Sequence, residues 1–400
     1  MEPTLADLEI ATFAVDEVVE GTQTGWSDGR LTLALPQLAV GAGSQPALAE
    51  ATVEVVRPGD PVRISNVLDV VLPTARVDGR LHRLDGVAVL MVCDWVAAGV
   101  PDAHELPASL VDMAGPAASR SPWGSTINVV VRCRPRGGVD VAEADRAVRE
   151  TTWSIADSIS AATAGASADE VRTMGSMPPA DAALPQVAVI LQVASEGPLV
   201  DTFLDGQALG EFEPFVLDER VLHEGRLTNG AYDWPGVRNV SAVYQDLALV
   251  RELRSRHGSR LRFVGIVLAP GYLDGAEQKR RAAQASTQLA AGLGADGVVC
   301  TTFSSGNSHT DTMLTVQACE RAGVATVAIV CETNGGLTDH VPEADCLVST
   351  GNEDELVEAW TPERVIGGEA RARVGERVPA VHYVGGGVQT GDARWTAVQA

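Results

Sequence analysis

A stretch of polar residues, 302–311, follows an apolar run and precedes a helical pattern in the second half of the chain. It contains Asn307, His309 and Asp311, with Ser305 just before them. An imidazole suits proton transfer near neutral pH, a carboxylate can orient it, and an amide or hydroxyl can hydrogen-bond a substrate. We therefore predict His309 and Asp311 as catalytic residues, with Asp311 orienting His309. Asn307 and Ser305 are predicted to bind substrate.

The same residue types also begin helices that have no chemical role. Asn307 or Ser308 could cap the helix that follows, and Asp311 would then serve the helix dipole. Gly306 would let backbone N–H groups approach a ligand, since glycine adopts conformations closed to other residues. Capping and substrate binding are both open at this point.

A second polar stretch follows the next predicted strand. It contains Glu332 and His340, whose side chains can transfer protons or bind a metal. If the two strands are parallel neighbours, these side chains lie at the same sheet edge as the first polar stretch. Glu332 is then the third predicted catalytic residue, paired with His309 as acid and base. A divalent transition metal is the alternative, although no tight spacing of the HExxH kind supports it. The candidate metal ligands are His309, Asp311, Glu332 and His340.

Residues 223–235 form a third segment that is dense in polar and aromatic side chains. It follows the first predicted strand of the second half, and its composition favours a long functional loop. Asn229 and Gly230 are also an ordinary turn dipeptide, so a surface turn is the alternative. The substrate-binding residues predicted here are His223, Glu224, Asn229 and Tyr232.

The overall charge restricts the partners of this chain. With 30 Lys and Arg against 53 Asp and Glu, the formal net charge is -23. Such a charge repels phosphate backbones and anionic lipids, so we expect neither nucleic acid nor a membrane as partner. No apolar run has membrane-spanning length and no signal segment is apparent, so a soluble cytoplasmic protein is expected.

The cysteines and the lysine exclude further chemistry. The six cysteines include no CxxC pair and lie mostly in apolar runs, so disulfides are not expected. Lys279 is the only lysine and all other basic side chains are arginine, which is typical of the codon bias of GC-rich bacteria. It lies in a polar run that predicts an exposed helix face. Schiff-base chemistry on a lysine is therefore not expected.

The elements that must position these residues follow two patterns. Residues 1–166 contain short β-branched runs separated by Gly, Pro and Asp, and end in a helical pattern over 139–165. We predict a β-rich N-terminal domain closed by a long helix. Residues 167–185, rich in Ala, Met, Pro and Asp, are the predicted linker.

From residue 187 onward, apolar strands alternate with amphipathic helices. Strands are predicted at 187–193, 263–268, 297–302 and 325–331, helices at 240–256, 275–293 and 311–322, and edge strands at 346–348 and 378–384. This alternation is typical of a parallel sheet covered on both faces. The predicted fold class is α/β, with a β-rich N-terminal domain followed by a doubly wound, mostly parallel-sheet domain over 186–400. In such sheets ligands bind beyond the carboxyl ends of the strands.

Short motifs in a fixed order give the chain a resemblance to a known family. They are residues 57–64 (RPGDPVRI) with Asp69 and Val70 after them, 79–82 (GRLH), 111–116 (VDMAGP), 256–258 (RHG), 306–307 (GN) with 310–311 (TD), 320–324 (ERAGV) and 343–346 (EADC). Over nearly its whole length the chain resembles the proprotein subunits of component B of the glycine, sarcosine and betaine reductases. It resembles the D-proline reductase proprotein more distantly.

The resemblance implies an enzyme subunit that reductively cleaves a carbon–nitrogen or similar bond of a small polar amine. It also implies an oligomer with a second, selenoprotein-like component B subunit. In the family, an internal Asn–Cys or Thr–Cys bond is broken and the cysteine becomes a pyruvoyl group that captures the substrate amine. The matching positions here are Ala231 or Tyr232 in one alignment and Val240 in another, and none is a cysteine. Thr228 or Ser241 would offer only a weaker hydroxyl nucleophile. We therefore expect no pyruvoyl group and an intact chain.

Two other functions fit the same residues. The His, Asp and Glu set would serve a metal-dependent lyase or hydrolase with a divalent metal as cofactor. The chain could also be a non-catalytic subunit that stabilises its partner. The main hypothesis is an oxidoreductase subunit that binds a small molecule without a pyruvoyl group.

Overall fold

The computed structural model describes most of the chain. The described residues are 7–93, 95, 109–175, 177–197, 199–232, 238–303, 306–333, 336–337, 344–352, 354–368, 374–385 and 396–398. Over these residues the chain is a mixed α/β protein with several sheets. The predicted α/β class is confirmed in this general form.

Strands dominate the first part of the chain. Its elements are β1 (Leu8–Ala14), β2 (Glu17–Glu20), β3 (Gly25–Ser27), β4 (Arg30–Leu33), α1 (Leu35–Ala42), β5 (Leu48–Val56), β6 (Val62–Ile64), β7 (Val67–Val71), β8 (Thr74–Val77), β9 (Arg80–Asp85), β10 (Val87–Cys93), β11 (Val111–Asp112), β12 (Ile127–Pro135), α2 (Val141–Ala161) and β13 (Glu170–Met174). Two four-stranded sheets run in the orders β13-β1-β9-β8 and β5-β12-β10-β7. Both sheets share one core with the helices, in which Phe13, Val131 and Val148 are fully buried.

The long helix expected over 139–165 is α2. The carboxylate of Asp140 caps it by accepting hydrogen bonds from the N–H groups of Ala142 at 2.9 Å and Glu143 at 3.2 Å. Val148 and Ile155, at helical spacing, face the core. Cap and periodicity are both local features, which explains why the sequence was sufficient to predict this helix.

The predicted linker contains a strand. β13 lies inside residues 167–185 and pairs antiparallel with β1. Residues 177–185, which follow it, are partly or fully exposed. The domain boundary in this linker stays a prediction.

Strands and helices alternate in the second part of the chain. Its elements are β14 (Gln186–Ala194), β15 (Val200–Leu204), β16 (Gln207–Ala208), β17 (Phe215–Leu217), α3 (Arg220–His223), β18 (Leu227–Ala231), α4 (Ser241–Gln245), α5 (Ala248–Arg256), β19 (Arg262–Gly271), α6 (Ala276–Gly292), β20 (Gly297–Thr301), α7 (Asn307–Arg321), β21 (Ala325–Thr333), β22 (Gly336–Leu337), β23 (Cys346–Asn352), β24 (Leu356–Val357), β25 (Arg364–Ile366), β26 (Val378–Pro379) and β27 (Thr396–Val398). The helix predicted over 240–256 is divided into α4 and α5. The other strands and helices expected between 187 and 331 are present, with shifted ends.

One large sheet organises this part. Its order is β17-β19-β14-β20-β21-β23-β27, and β19, β14, β20, β21 and β23 are mutually parallel. Alternate residues of β14 face opposite layers: Ile190 packs in a core with α6 and α7, whereas Leu191 packs in a core with α3, α4 and α5. Both faces of the strand are therefore covered, which is why it is continuously apolar.

One strand in the last part of the chain, β25, returns to the first part. β25 pairs parallel with β6, and the β11-β6-β25 sheet joins the two halves. The edge strand predicted at 378–384 is wrong, because β26 covers only Val378–Pro379 and pairs with β24 outside the large sheet. In the described part of the chain, no helix has the length and apolarity needed to cross a membrane.

Candidate functional site

The strand order reverses within the large sheet, at β14. β14 comes first in the chain, β19 is added on one side of it and β20 on the other. In sheets with this order, ligands bind beyond the carboxyl ends of the strands, where the order reverses. Residues 302–311 begin at that point, directly after β20. The described residues of this stretch, 302–303 and 306–311, follow β20, and ligand binding at this edge stays a prediction.

Gln192, near the end of β14, organises this edge. Its side-chain Oε1 accepts a hydrogen bond from the N–H of Phe303 at 2.7 Å, and its Nε2 donates to the carbonyl of Ser308 at 2.9 Å. Asn239 donates from Nδ2 to the carbonyl of Phe303 at 3.3 Å. Sequence reasoning missed Gln192, because a single amide in an apolar strand forms no pattern.

Helix α7 begins four residues earlier than predicted. Gly306 is its N-cap with φ of 64°, a conformation that favours glycine, and no side chain caps the helix. The capping alternative for Asn307 and Ser308 is therefore wrong. Asn307 is exposed and its Nδ2 donates to the carbonyl of Leu273 at 3.4 Å.

His309 lies on the first turn of α7 rather than in a loop. Only 1% of it is exposed. Residues two apart on a helix do not face each other, so this placement does not favour the predicted orientation of His309 by Asp311. The role of His309 as acid or base stays a prediction.

Asp311 pairs with Lys279. The Lys279 Nζ lies 2.7 Å from Asp311 Oδ1, and the N–H of Leu273 donates to Asp311 Oδ2 at 3.3 Å. Burial raises the pKa of Asp311, while the hydrogen bond and charge of Lys279 oppose that increase. The predicted exposure of Lys279 is wrong, because only 7% of the residue is accessible. A long aliphatic stem can be buried when a carboxylate meets the ammonium.

Several predicted site residues lie outside the described structure. They are Ser305, His340 and the side chain of Glu332, although the backbone of Glu332 belongs to β21. Among the side chains that are described, no group of three or more His, Cys, Asp or Glu could hold a metal ion. The catalytic role of Glu332 and the metal alternative therefore stay predictions.

Residues 223–231 are ordered elements and not the predicted long loop. His223 ends α3, and its Nδ1 lies 3.2 Å from the carbonyl oxygen of Gln245. Glu224 forms ion pairs with Arg76 of the first part and with Arg226. The ion pair between Glu224 and Arg76 connects the end of α3 to the first part of the chain. Residues 233–235 lie outside the described range.

Asn229 and Tyr232 are buried, in β18 and just after it. The Asn229 side chain exchanges hydrogen bonds with the backbone of Ala231 at 3.1 and 3.2 Å. The Tyr232 hydroxyl donates to Asp145, and the Trp95 ring stacks on the Tyr232 ring with centroids 6.4 Å apart. Burial, together with the Asp145 charge, raises the pKa of Tyr232 well above its usual range. Both side chains are thus already satisfied by the protein, and their binding of substrate stays a prediction.

Asp69 and Ser241 form a buried link between the two parts of the chain. Ser241 Oγ donates to Asp69 Oδ2 at 2.5 Å, and the N–H of Ser241 donates to Asp69 Oδ1 at 2.7 Å. The N–H of Asn229 in turn donates to Ser241 Oγ at 2.8 Å. Burial raises the pKa of Asp69 to about 7, although hydrogen bonds from Ser241 and Val70 work against this. The only sequence signal for Asp69 was its place in a family motif.

Phe303 brings the first and third predicted segments together. It packs in one buried cluster with Ala194 and Ala231, so the ends of β14, β18 and β20 meet. The ring of Tyr272 contacts Phe303 edge-on, with centroids 5.7 Å apart. The candidate site is therefore the carboxyl edge between β14 and β20, with Asn307 on its exposed side.

This fold and site define an α/β protein with polar groups gathered at the switch point of a parallel sheet. The chain belongs to the family of glycine/sarcosine/betaine reductase component B subunits, whose model matches residues 6–378. The predicted family is confirmed.

Curated relatives are similar over most of their own length. The chain is 27% identical over 389 residues to the sarcosine reductase complex component B subunit alpha of Peptoclostridium acidaminophilum, covering 90% of this chain and 89% of the relative. It is 25% identical over 383 residues to the glycine reductase complex component B subunits alpha and beta of Acetoanaerobium sticklandii, covering 90% and 88%. It is 24% identical over 400 residues to the betaine reductase complex component B subunit alpha of P. acidaminophilum, covering 91% and 88%. No solved structure is significantly similar to the chain.

Proposed function

We propose that this chain is a subunit of an oxidoreductase complex that binds a small polar amine and takes part in reductive cleavage of a carbon–nitrogen or similar bond. The observation that carries the proposal is the family match over residues 6–378. The relatives are named as parts of sarcosine, glycine and betaine reductase complexes. A second subunit, resembling the selenoprotein of component B, is the proposed partner.

The substrate site that we propose lies at the carboxyl ends of β14 and β20. The strand order and the polar start of α7 support it. Asn307 would hydrogen-bond the substrate, and His309 and Glu332 would act as acid and base. The same topology supports a doubly wound second domain over 186–400, and the sheets before residue 175 support a β-rich first domain.

A pyruvoyl group does not fit the residues at the matching positions. No cysteine occurs between Cys133 and Cys300. Ala231 and Val240 are buried apolar residues, and the Tyr232 hydroxyl is bound to Asp145. The Ser241 hydroxyl is held between Asp69 and the N–H of Asn229. We therefore propose a reaction that uses this chain without a pyruvoyl group.

The proposed function is tested by equilibrium binding of three probes: sarcosine, glycine and betaine. Saturation-transfer NMR on the intact chain should detect at least one of them. Asn307→Ala and His309→Gln should weaken that binding by about tenfold or more, the usual effect of losing a polar contact to a bound ligand.

His257→Gln is the matched control for these variants. His257 ends α5 just before β19 begins, at the opposite edge of the sheet, so its substitution should leave binding unchanged. Absence of binding for all three amines, or wild-type binding by both site variants, would overturn the proposal.

A further inference from the structure

Lys279, the single lysine of the chain, has no role in the proposed function so far. Of the 30 basic residues of the Lys and Arg type, only Lys279 is a lysine. Its neighbour Arg280 is exposed on the same helix, whereas Lys279 is buried. Arginine occupies every other Lys or Arg position, and the more compact cation occupies this buried one. Arginine and lysine are not interchangeable where geometry is restricted, because a guanidinium is a planar fork and an ammonium is compact.

The ammonium of Lys279 joins three segments at the candidate site. Besides its ion pair with Asp311 at 2.7 Å, Lys279 Nζ donates to the carbonyl of Asn307 at 3.3 Å. Asp311 also accepts from the N–H of Leu273, and Asn307 donates to the carbonyl of Leu273. The hydrogen bonds among these residues therefore connect helix α6, the first turn of α7 and the loop after β19.

The space around this group is small. Lys279 and Asp311 line a small cavity between α6, α7 and the sheet, together with Gln192, Thr301 and Ser286. The cavity has room for about one water molecule. Because a guanidinium is larger and planar, we expect Lys279→Arg to displace the first turn of α7. The same cavity is too small for a substrate, so Lys279 acts on the site through Asn307.

We propose that Lys279 is a positioning residue of the substrate site, where it fixes the exposed Asn307 and the first turn of α7 through Asp311 and the Asn307 carbonyl. This inference rests on the proposed function for the identity of the site. It adds that amine affinity depends on a buried lysine that contacts no substrate.

The test compares Lys279→Met and Lys279→Arg with Arg280→Met as the matched control on the same helix. The Asn307 amide signals, observed by selective 15N-asparagine labelling, should move in both Lys279 variants and not in the control. Affinity for the amine probe that binds the wild type should fall about 10- to 100-fold in both, since a misplacement near 1 Å has effects of this size. In Lys279→Ala, added ethylamine should return the Asn307 signals towards their wild-type positions.

A double variant separates positioning from stability. Lys279→Met with Asp311→Asn removes both charges, so no uncompensated charge stays buried even if the single variant fails to fold. The proposal requires that this folded double variant still shows displaced Asn307 signals and weak amine binding. Wild-type Asn307 signals in the double variant would overturn the proposal. If the Asn307 signals are displaced but the wild type binds no amine, the positioning of Asn307 by Lys279 is supported and the proposed function is rejected.

Discussion

Arg63 and Asp112 form a buried, bidentate ion pair. Arg63 Nε and Nη2 donate to Asp112 Oδ1 and Oδ2 at 2.6 and 2.8 Å, and both residues are at most 1% exposed. The Tyr383 hydroxyl lies 3.3 Å from Asp112 Oδ2, and the Trp360 ring covers Arg63 at 5.6 Å. Arg63 and Asp112 belong to two separate family motifs, so their ion pair brings these motifs into contact. Tyr383 and Trp360, from the last part of the chain, contact the same ion pair.

This ion pair predicts a large loss of stability when one partner is removed. Arg63→Met or Asp112→Asn should lower the free energy of unfolding by about 3 to 5 kcal/mol, because each leaves a buried charge or a set of donors without a partner. Urea unfolding followed by circular dichroism measures this. Arg30→Met is the control: its ion pair with Glu17 is more than half exposed on both sides and should contribute less than about 1 kcal/mol. Equal effects at the two sites would contradict the prediction.

The raised pKa of Asp69 predicts that the free energy of unfolding falls as the pH rises. Burial raises its pKa from 3.8 to about 7, so between these values the folded chain holds a proton that the unfolded chain has lost. The contribution is fully present below pH 3.8 and is lost as the pH rises through about 7. It amounts to a few kcal/mol, at about 1.4 kcal/mol per unit of pKa difference. In Asp69→Asn, the free energy of unfolding, measured with urea, should depend less on pH over this range. A pH dependence equal to that of the wild type would refute the raised pKa of Asp69.

Intact-mass spectrometry should show one uncleaved species and not two fragments. The reason is that no cysteine occurs between Cys133 and Cys300, where the family resemblance places the self-cleaved bond. Hydrazine treatment should add no mass, since no pyruvoyl carbonyl is expected. Two fragments whose masses sum to the chain, one of them reactive with hydrazine, would show that a hydroxyl such as that of Ser241 replaces the thiol.

Limited proteolysis should cut first between residues 177 and 185. These residues are partly or fully exposed, follow β13 and contain no Lys or Arg, so elastase is suitable and trypsin is not. The two fragments should stay together on gel filtration until urea is added, because β25 pairs with β6 across the cut. First cleavage elsewhere, with 177–185 protected, would favour a single merged domain.

The sequence alone was sufficient for features that depend on neighbouring residues. Apolar residues at helical spacing predicted α2, and continuous apolar runs predicted β14, β19, β20 and β21. Ordered motifs identified the family. These signals lie within a few residues or repeat along the chain, so they can be read before the chain is folded.

The tertiary structure decided which distant residues meet. Lys279 looked exposed because its neighbours in sequence are polar, yet Asp311, on the next helix, stabilises its buried charge. Asp69 and Ser241 meet although they are 172 residues apart. Residues 227–231 became a strand because β15 was available to pair with them. Such contacts depend on strand order and helix packing, which local periodicity does not encode, and they determine which polar groups the protein itself pairs.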